Sequence, residues 1–433
     1  MRILIHRFFA IVILSILANS VSTQNVEAIP AFARKYETSC TTCHTVIPKR
    51  NAFGEAFRRN GYIMPVGDNL LIEEDPVSLG ARGWKALFPD AVWPGLLPGN
   101  FPLSAYAHQR VVADLKNDNY YFDMPHELEL IFGGTFGERM AFFGEWIAFE
   151  KGEDAKGLKR FFFQFNDLLG PRNLINLRAG RFEPGITDGY TDSNRITLEH
   201  VLTLDYMATG KWRPRDQQSG IEVNGIFKGR FNYAVGLVNG ESITIDDATD
   251  EKDYYCRISY KLGGLRLDGI LPDQSTDLVQ SGNWSDNGLT FGIYAYQGNY
   301  LAPNSMDNDF SRIGFDFHGN YNRLDIFAGA ITGTDNNPNG LVTGTIDEME
   351  CNSLAWFAEG QYMIYPWLVG SLRIGNASSS HNNLDLDDIT VVLPNLTLLA
   401  QANVRFSVEA LFRKAAGGDL ESQWLKINAM FVF

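Results

Sequence analysis

The chain has 433 residues, 45% of them hydrophobic and 20% charged, and its 51 acidic against 37 basic side chains give a formal net charge of −14. This acidic balance argues against nucleic acid as a partner, because polyanions are bound by basic surfaces. Apart from a short apolar run near the start, no segment approaches the roughly 20 apolar residues that a membrane-spanning helix needs. The composition therefore excludes an ordinary helical membrane protein.

The first predicted element is a secretory signal peptide over residues 1–28. Arg2 and Arg7 precede the apolar run Phe8–Leu17, and a polar stretch then leads to Ala28, after which we expect cleavage. The apolar run is too short to remain as a membrane-spanning helix. The sequence therefore predicts export across the inner membrane.

The stretch Cys40-Thr41-Thr42-Cys43-His44 has the C-x-x-C-H spacing of a haem c attachment site, in which the two thiols bind the haem covalently and the histidine is an axial iron ligand. A C-x-x-C pair also occurs in zinc sites and redox disulfides. Zinc would need two more ligands nearby, and the next Cys or His is His108. A thioredoxin-like site would need a βαβ setting, which the pattern lacks. We predict one covalently bound haem c at Cys40, Cys43 and His44.

A helix is predicted over residues 51–60, where Phe53 and Phe57 form an aromatic face that would cover the haem and Gly61 ends the helix. Met64 follows directly and is the local candidate for the second axial ligand, which would raise the reduction potential. A methionine at this place is equally compatible with a packing role. His44 and Met64 are thus the candidate iron ligands, and His44 is the candidate catalytic residue.

Charge is unevenly distributed, since residues 29–65 carry a net charge of +4 whereas residues 66–433 carry −19. This favours docking of the basic stretch against an acidic lumen or an acidic carrier protein. Residues 71–99 contain several prolines and few periodic segments, which predicts a linker. The predicted organisation is a cytochrome segment over 29–70, this linker, and a β domain over 100–433.

Beyond residue 100 the dominant hydrophobic period is two, as in a strand with one apolar face. Ile313, Phe315 and Phe317 alternate with polar or small residues, and the final strand alternates up to the terminal Phe433. A soluble sandwich alternates in the same way. Chain length, expected export, 13% aromatic content and the terminal aromatic residue favour a transmembrane antiparallel β-barrel.

The pattern predicts sixteen strands, within two. The candidates are 101–113, 126–135, 138–150, 158–168, 173–182, 217–227, 230–239, 252–262, 287–299, 309–318, 321–332, 352–363, 366–376, 389–402, 404–413 and 422–433. Long connections follow most odd strands and short turns follow most even strands, as in outer-membrane barrels whose two termini lie in the periplasm. Residues 263–286 are long where a short turn is expected, which indicates an extended strand pair or a miscount.

The long connection 183–216 either folds inward and narrows the lumen or is an exposed outer loop. Acidic residues cluster in other predicted outer loops, where they would concentrate cations by their field or only aid solubility. These residues are Asp246, Asp247, Asp250, Glu251, Asp253, Asp385, Asp387 and Asp388. Cys256 and Cys351 fall on strands that are not neighbours in this order, so we expect no disulfide between them.

The order of signal peptide, haem motif, aromatic helix, linker and barrel resembles the fused outer-membrane monohaem cytochrome c–porin iron oxidases of iron-oxidising bacteria. The resemblance rests on Phe32-Ala33-Arg34, on Cys40 to His44, on Pro48, on Asn51-Ala52-Phe53-Gly54 and on Asn60-Gly61-Tyr62, whereas the barrel matches in length and pattern only. It implies an Fe(II):cytochrome oxidoreductase that oxidises extracellular Fe(II), or another donor, and passes electrons to a periplasmic cytochrome or similar carrier.

A sixteen-stranded barrel left empty encloses an aqueous channel, and a cytochrome segment of about 40 residues is marginal on its own. Placing the segment in the lumen would bury the haem and close the channel, with the N-terminus on the periplasmic side or within the lumen of a barrel surrounded by outer-membrane lipid. Two other functions stay open: a diffusion porin for small solutes with a cytochrome plug or gate, and an outward electron conduit. No constellation typical of a hydrolase or transferase is present.

Overall fold

Antiparallel strands dominate the chain in the computed structural model, which describes residues 31–65, 77–78, 96–97, 102–137, 139–151, 157–205, 212–240, 251–270, 284–301, 307–338, 350–380 and 388–433. The predicted signal peptide 1–28 and the acidic residues Asp246, Asp247, Asp250, Asp385 and Asp387 lie outside the described residues. Of the predicted linker 71–99, the described residues are Val77–Ser78 and Leu96–Leu97, which pair as two short antiparallel strands.

Sixteen strands form one closed antiparallel barrel in the described chain, so the predicted count is confirmed. They are β1 Leu103–Asp114, β2 Asn119–Phe136, β3 Met140–Glu150, β4 Gly157–Phe165, β5 Asn176–Phe182, β6 Gln218–Phe227, β7 Phe231–Val238, β8 Asp253–Gly263, β9 Gly288–Leu301, β10 Asp307–Tyr321, β11 Leu324–Asp335, β12 Cys351–Tyr365, β13 Leu368–Ser379, β14 Ile389–Gln401, β15 Val404–Lys414 and β16 Glu421–Val432. The last strand closes the barrel on the first, with Leu425 opposite Ala113.

The strands bury their polar faces and expose their apolar faces. In β8, Arg257, Ser259 and Lys261 point inward and are buried, whereas Ile258 and Tyr260 between them point outward and are exposed. A soluble β-sandwich has the opposite arrangement, with the apolar face inside. The exposed apolar outer surface and polar interior are those of a barrel that sits in lipid.

Connections alternate in length as the sequence predicts. The turns after β6, β10, β12 and β14 span only two or three residues, whereas β5 and β6 are joined by residues 183–217. Residues 183–205 of this connection, here called the inner loop, fold into the barrel. Leu198 N donates to Glu409 Oε2 at 2.9 Å, and Arg373 Nη1 donates to Glu199 O at 2.8 Å. The constriction-loop hypothesis is therefore correct, and the exposed-loop alternative is wrong.

Residues 31–65, here called the N-terminal segment, form a short helix α1 (Ala31–Lys35), a 3₁₀ turn at Cys40–Thr42, the short paired strands His44–Val46 and Lys49–Arg50, and helix α2 (Ala52–Arg59). Asn51 caps the N-terminus of α2, its side chain accepting a hydrogen bond from Gly54 N at 2.8 Å.

Helix α2 ends where the sequence predicts. Gly61 has a φ of +66°, in the left-handed region that glycine adopts without penalty. Gly61 N donates to Arg58 O at 3.0 Å and Tyr62 N donates to Phe57 O at 2.9 Å, which is the pair of bonds of a Schellman C-cap. After this cap the chain turns sharply, and Met64 packs in the same buried cluster as Phe57 of α2.

Three further findings correct or extend the sequence analysis. The long connection after β8 is not an extended strand pair in its described parts, residues 264–270 and 284–287, which consist of turns, bends and irregular backbone. Asp253 does not belong to an exposed acidic loop, because it is buried at the start of β8 and accepts a hydrogen bond from Asn299 N at 3.0 Å. Cys256 and Cys351 are free thiols, as expected. Among the described residues, no helix is long and apolar enough to cross a membrane.

Candidate functional site

The N-terminal segment lies inside the barrel and is bonded to its wall on several sides. Ala31 N donates to Ser104 Oγ on β1 at 2.7 Å, and Lys49 forms an ion pair with Asp325 on β11. Arg59 Nε lies 3.0 Å from Asp188 Oδ2 of the inner loop. Basic side chains of the segment thus meet carboxylates of the lumen, as the charge distribution predicts.

The connection after β8 belongs to the same assembly. Leu265 packs in one buried cluster with Met64 and Phe57, and Asn60 Nδ2 donates to Asp268 O at 2.9 Å. This connection is long because part of it packs against the N-terminal segment, which explains its departure from the loop-length pattern.

A cavity of about 310 Å³ lies between the N-terminal segment and the barrel wall. Volumes of this order are typical of cofactor and small-molecule sites, which span about 300–1,000 Å³. Its lining includes all four residues predicted from the sequence, namely Cys40, Cys43, His44 and Met64. The C-x-x-C-H stretch and Met64, which are separated by a helix in the chain, therefore line one cavity.

The imidazole of His44 is held in one orientation. Its Nδ1 lies 3.0 Å from Pro48 O and donates to that carbonyl oxygen in the neutral tautomer consistent with this contact. Burial, with a further contribution from the charge of Arg50, lowers the pKa of His44 to about 4, so the ring is neutral at neutral pH. A neutral imidazole that donates from Nδ1 carries its lone pair on Nε2, which is the arrangement of metal-binding histidines anchored by a backbone carbonyl.

The two cysteines of the motif are not reactive thiolates. Burial and the neighbouring Cys40 raise the pKa of Cys43 to about 12, and burial also raises the pKa of Cys40. Both are free thiols, and the described residues contain no group of three or more His, Cys, Asp or Glu side chains arranged to hold a metal ion. The raised pKa values favour protonated thiols, whereas zinc sites and redox-active cysteines use thiolates.

Helix α2 packs directly on the motif. Asn51 N donates to Cys43 O at 2.9 Å, and Asn51 Nδ2 donates to Thr42 O at 3.0 Å. Gly54 lies so close to the Cys43 carbonyl that a Cβ at this position would overlap its oxygen atom. Glycine at position 54 therefore lets the helix approach the backbone of the motif.

Aromatic rings close the apolar side of the cavity. Phe57 lines the cavity, as expected, whereas Phe53 packs behind it in the same buried cluster. Phe32 lies 5.2 Å from Phe57 between ring centroids, and Tyr62 stacks on Phe143 of β3 at 4.8 Å. Sequence reasoning assigned no role in the cavity to Phe32 or Tyr62, because neither shares the helical spacing that identifies Phe53 and Phe57.

A charged network fixes α2 to the inner loop. Glu55 lies 2.6 Å from Arg50 Nε and 2.9 Å from Arg58 Nη2, and Arg58 and Arg59 also pair with Asp188. Burial alone would raise the pKa of Glu55, but the three arginines overcome it and lower the pKa to about 2. For Asp188, burial is likewise outweighed by Arg58 and Arg59, and its pKa lies well below the usual range.

The barrel contributes a charged wall to the same cavity that the sequence analysis missed. Its members are Glu127, Glu129, Glu145, Lys159, Arg160 and Arg405 from the strands and Asp192 and Arg195 from the inner loop. Strand alternation places strand residues on the inner face, but only the fold shows which of them surround the cavity. The lining of the cavity thus combines apolar and aromatic side chains with charged ones.

These residues fit a haem. An amphipathic macrocycle with two carboxylates needs an apolar surface for its ring and polar groups at its edge, and the cavity offers both. The anchored imidazole of His44 and the thioether of Met64 are the donor types that cytochromes c use for iron.

No family model matches the chain, and no curated protein matches it. Among solved structures, the chain is similar to an anion-selective porin from Comamonas acidovorans, at 10% identity and a TM-score of 0.53 over 76% of this chain and 98% of that one.

It is also similar to the outer-membrane protein OmpT of Vibrio cholerae, at 9% identity and a TM-score of 0.51 over 76% of this chain and 97% of that one. OmpF of Salmonella typhi, solved in complex with daunomycin, is 11% identical, with a TM-score of 0.50 over 76% and 97% of the two chains. At this level of identity the likeness concerns the fold alone: the chain has the barrel fold of outer-membrane porins.

Proposed function

We propose that the chain is an outer-membrane electron-transfer protein that carries one haem c in its lumen, bound through Cys40, Cys43 and His44. In this proposal the N-terminal segment is the cytochrome part, and the barrel both houses it and places it across the membrane. Electrons pass from a donor outside the cell to a periplasmic carrier.

The observation that carries the proposal is the cavity beside the C-x-x-C-H stretch. Cys40, Cys43 and His44 line it together, and His44 is held through Nδ1 by Pro48 O at 3.0 Å. A structural role for the motif alone would explain neither the cavity beside it nor an anchored histidine in the cavity lining.

Each residue that lines the cavity would have its own role in holding the cofactor. The two thiols would tether the cofactor covalently, His44 would present Nε2 to its iron, and Met64 would contribute the second axial ligand. Phe57 and its aromatic neighbours would exclude water, and the inner loop would cover the site from the outer side of the barrel. A bound haem c would supply reversible one-electron transfer at a potential set by these ligands and by the low polarity around them.

Fe(II) is the proposed donor, and its oxidation makes the protein an Fe(II):cytochrome oxidoreductase. The support is the resemblance to the iron-oxidising cytochrome–porins, together with the −19 charge of residues 66–433. An acidic barrel raises the local concentration of a divalent cation by its field.

The fold likeness favours a second function, diffusion of small solutes through the lumen, because the similar structures are porins. The contents of the lumen oppose it, since both the N-terminal segment and the inner loop are bonded inside the barrel. Under this second function the cytochrome part would act as a gate.

The optical spectrum of the purified protein in liposomes, recorded before and after Fe(II) is added outside at near-neutral pH, tests the proposal. We expect a covalent haem c spectrum in the oxidised protein and growth of the reduced bands after Fe(II). A denatured chain without covalent haem would overturn the cofactor assignment. Covalent haem that Fe(II) leaves oxidised would overturn iron as donor while retaining the electron-transfer site. Cys256→Ala serves as the control, because Cys256 lies on the outer face of β8.

A further inference from the structure

The arginines buried deepest inside the barrel differ in their partners. Arg257, Arg312, Arg373 and Arg405 are each at most 2% exposed. The first three are paired with carboxylates, namely Asp316, Asp335 and Glu359 respectively. Arg405 has no carboxylate oxygen of any described residue within 4 Å, so its charge is not neutralised by a direct ion pair.

Arg405 donates its hydrogen bonds to uncharged groups. Its Nη1 donates to Ile47 O at 2.9 Å, and its Nη2 donates to Ile196 O of the inner loop. Its Nε is buried and makes no hydrogen bond within the described structure. Carbonyl oxygens satisfy guanidinium protons but do not neutralise the charge, and a buried charge without a counter-charge is costly.

The nearest acidic candidate is engaged elsewhere. Glu409 lies four residues along β15 on the same inward face and accepts hydrogen bonds from Leu198 N at 2.9 Å and from Asn395 Nδ2 at 2.8 Å. Arg195 of the inner loop lines the same cavity, where its Nε lies 3.7 Å from Asp192 Oδ1. Arg405 is thus a cavity-lining arginine without a carboxylate of the described residues in direct contact.

Arg405 lines the cavity beside the C-x-x-C-H stretch, and Ile47, whose carbonyl it binds, lies three residues from His44. A second unused donor faces the same space: Arg160 Nη2 is buried without a hydrogen-bond partner, although Arg160 Nε donates to Glu145 at 2.8 Å. Arg257 Nε, on a residue outside the cavity, is also buried without a hydrogen-bond partner among the described residues, so the indication of a ligand comes from Arg405. A positive charge in the cavity wall without a direct ion pair matches a ligand with anionic oxygen atoms.

We infer that Arg405 is the binding site for a carboxylate of the cavity ligand, which under the proposed function is a propionate group of the haem. Arg160 Nη2 supplies a further donor to the same ligand. A buried positive group forms a strong charge-assisted hydrogen bond with a carboxylate. Arg405 is thus a positioning residue, and its positive charge raises the reduction potential of the bound group by favouring the form with one more electron.

The competing explanation is that Arg405 only ties the carbonyls of Ile47 and Ile196 together. Arg405→Gln and Arg405→Lys separate binding of a carboxylate from bridging of the two carbonyls. Lysine keeps the positive charge, but it cannot donate to both carbonyl oxygens as the two Nη atoms of arginine do. Arg312→Gln is the control, since it removes a buried luminal arginine that does not line the cavity.

The experiment measures covalent haem content and the midpoint potential between pH 5 and pH 8 for each full-length variant. We expect Arg405→Gln to retain covalent haem and to have a lower midpoint potential. The pH range in which the potential responds to protonation of the propionate should lie about 1–3 pH units higher than in the wild type. Arg405→Lys should behave nearly as the wild type, and Arg312→Gln should leave the potential unchanged.

An unchanged potential and pH profile in haem-loaded Arg405→Gln would overturn the inference and leave the proposed function standing. Equal effects of the Gln and Lys variants would also overturn it, because they would identify the carbonyl link as the important contact. A wild-type protein without covalent haem would instead remove the proposed function itself.

Discussion

Gly54 and the carbonyl group of Cys43 are in such close contact that the structure has no space for a side chain between them. This contact joins helix α2 to the C-x-x-C-H stretch, and the hydrogen bond from Asn51 N to Cys43 O at 2.9 Å reinforces it. Glycine at position 54 therefore allows α2 to pack directly against the backbone of the stretch.

Gly54→Ala should displace α2 from the motif and destabilise the N-terminal segment by about 1–3 kcal/mol, the usual cost of overpacking a core. The clash is with backbone, which cannot rotate away. Covalent haem content and resistance of the segment to proteolysis measure the effect. Gly360→Ala is the matched control, because a Cβ at that position meets no atom within 4 Å. Equal behaviour of the two variants would contradict the close packing described here.

Replacing either cysteine of the motif should abolish double covalent attachment. In Cys40→Ala and Cys43→Ala we expect little or no haem on the denatured chain, whereas His44→Ala should keep covalent haem with altered ligand-field bands. Haem staining after denaturation measures covalent haem, and absorption spectra of the folded variants measure iron ligation. Haem retained equally in all three variants would show that the motif is not the attachment site.

Met64 is expected to be the second axial ligand of the iron. It is 4% exposed, lines the cavity with His44, and packs with Tyr36, Phe57 and Leu265. Met64→Leu preserves the packing volume but removes the sulfur, so loss of a ligand should lower the potential and change the ligand-field bands. If Met64→Leu keeps the wild-type spectrum while Met64→Ala is only less stable, Met64 is a packing residue.

The barrel could be predicted from the sequence because each strand carries its own signal. Period-two alternation, short turns after even strands and a terminal aromatic residue are local features, and all sixteen strands occur near the predicted places. The connection after β8 could not be predicted in the same way. Its length reflects contact of Leu265 and Asp268 with the N-terminal segment, and such a contact leaves no periodic trace in the sequence.

The motif side of the site was predictable for a similar reason. Cys40, Cys43, His44 and Phe57 lie within a stretch of 18 residues. Arg405 lies more than 350 residues away in the chain, and its role depends on which luminal arginines lack a carboxylate partner. The lack of a carboxylate partner for Arg405 can be seen only in the folded barrel, where the strands and the inner loop surround the cavity.

Acid should loosen the N-terminal segment. The pKa of Glu55 is about 2 in the folded protein, below its ordinary value of 4.5, so its stabilisation is complete above pH 4.5 and is lost as the pH falls through 2. The largest contribution consistent with this difference is about 3 kcal/mol. Asp188, whose pKa is also lowered, acts in the same direction.

Hydrogen exchange in α2, corrected for intrinsic rates and followed from pH 6 to pH 2, measures this loss. Glu55→Gln should exchange faster already at pH 6 and should show a weaker acid dependence than the wild type. Glu421→Gln, at an exposed position of β16, should match the wild type. An acid dependence in Glu55→Gln as steep as in the wild type would place the acid-sensitive group elsewhere.

The last prediction separates an electron conduit from a diffusion porin. In planar bilayers, the wild-type protein should conduct far less than an open sixteen-stranded porin, because Lys49, Arg58 and Arg59 tie the N-terminal segment to carboxylates inside the barrel. Deleting residues 31–65 should raise the conductance, since the sixteen strands close on one another without that segment. The inner loop stays in place in the deletion variant, so the increase should stop short of a fully open channel. High, steady conductance of the haem-loaded wild type would make solute diffusion the principal function and would show that the N-terminal segment does not close the lumen.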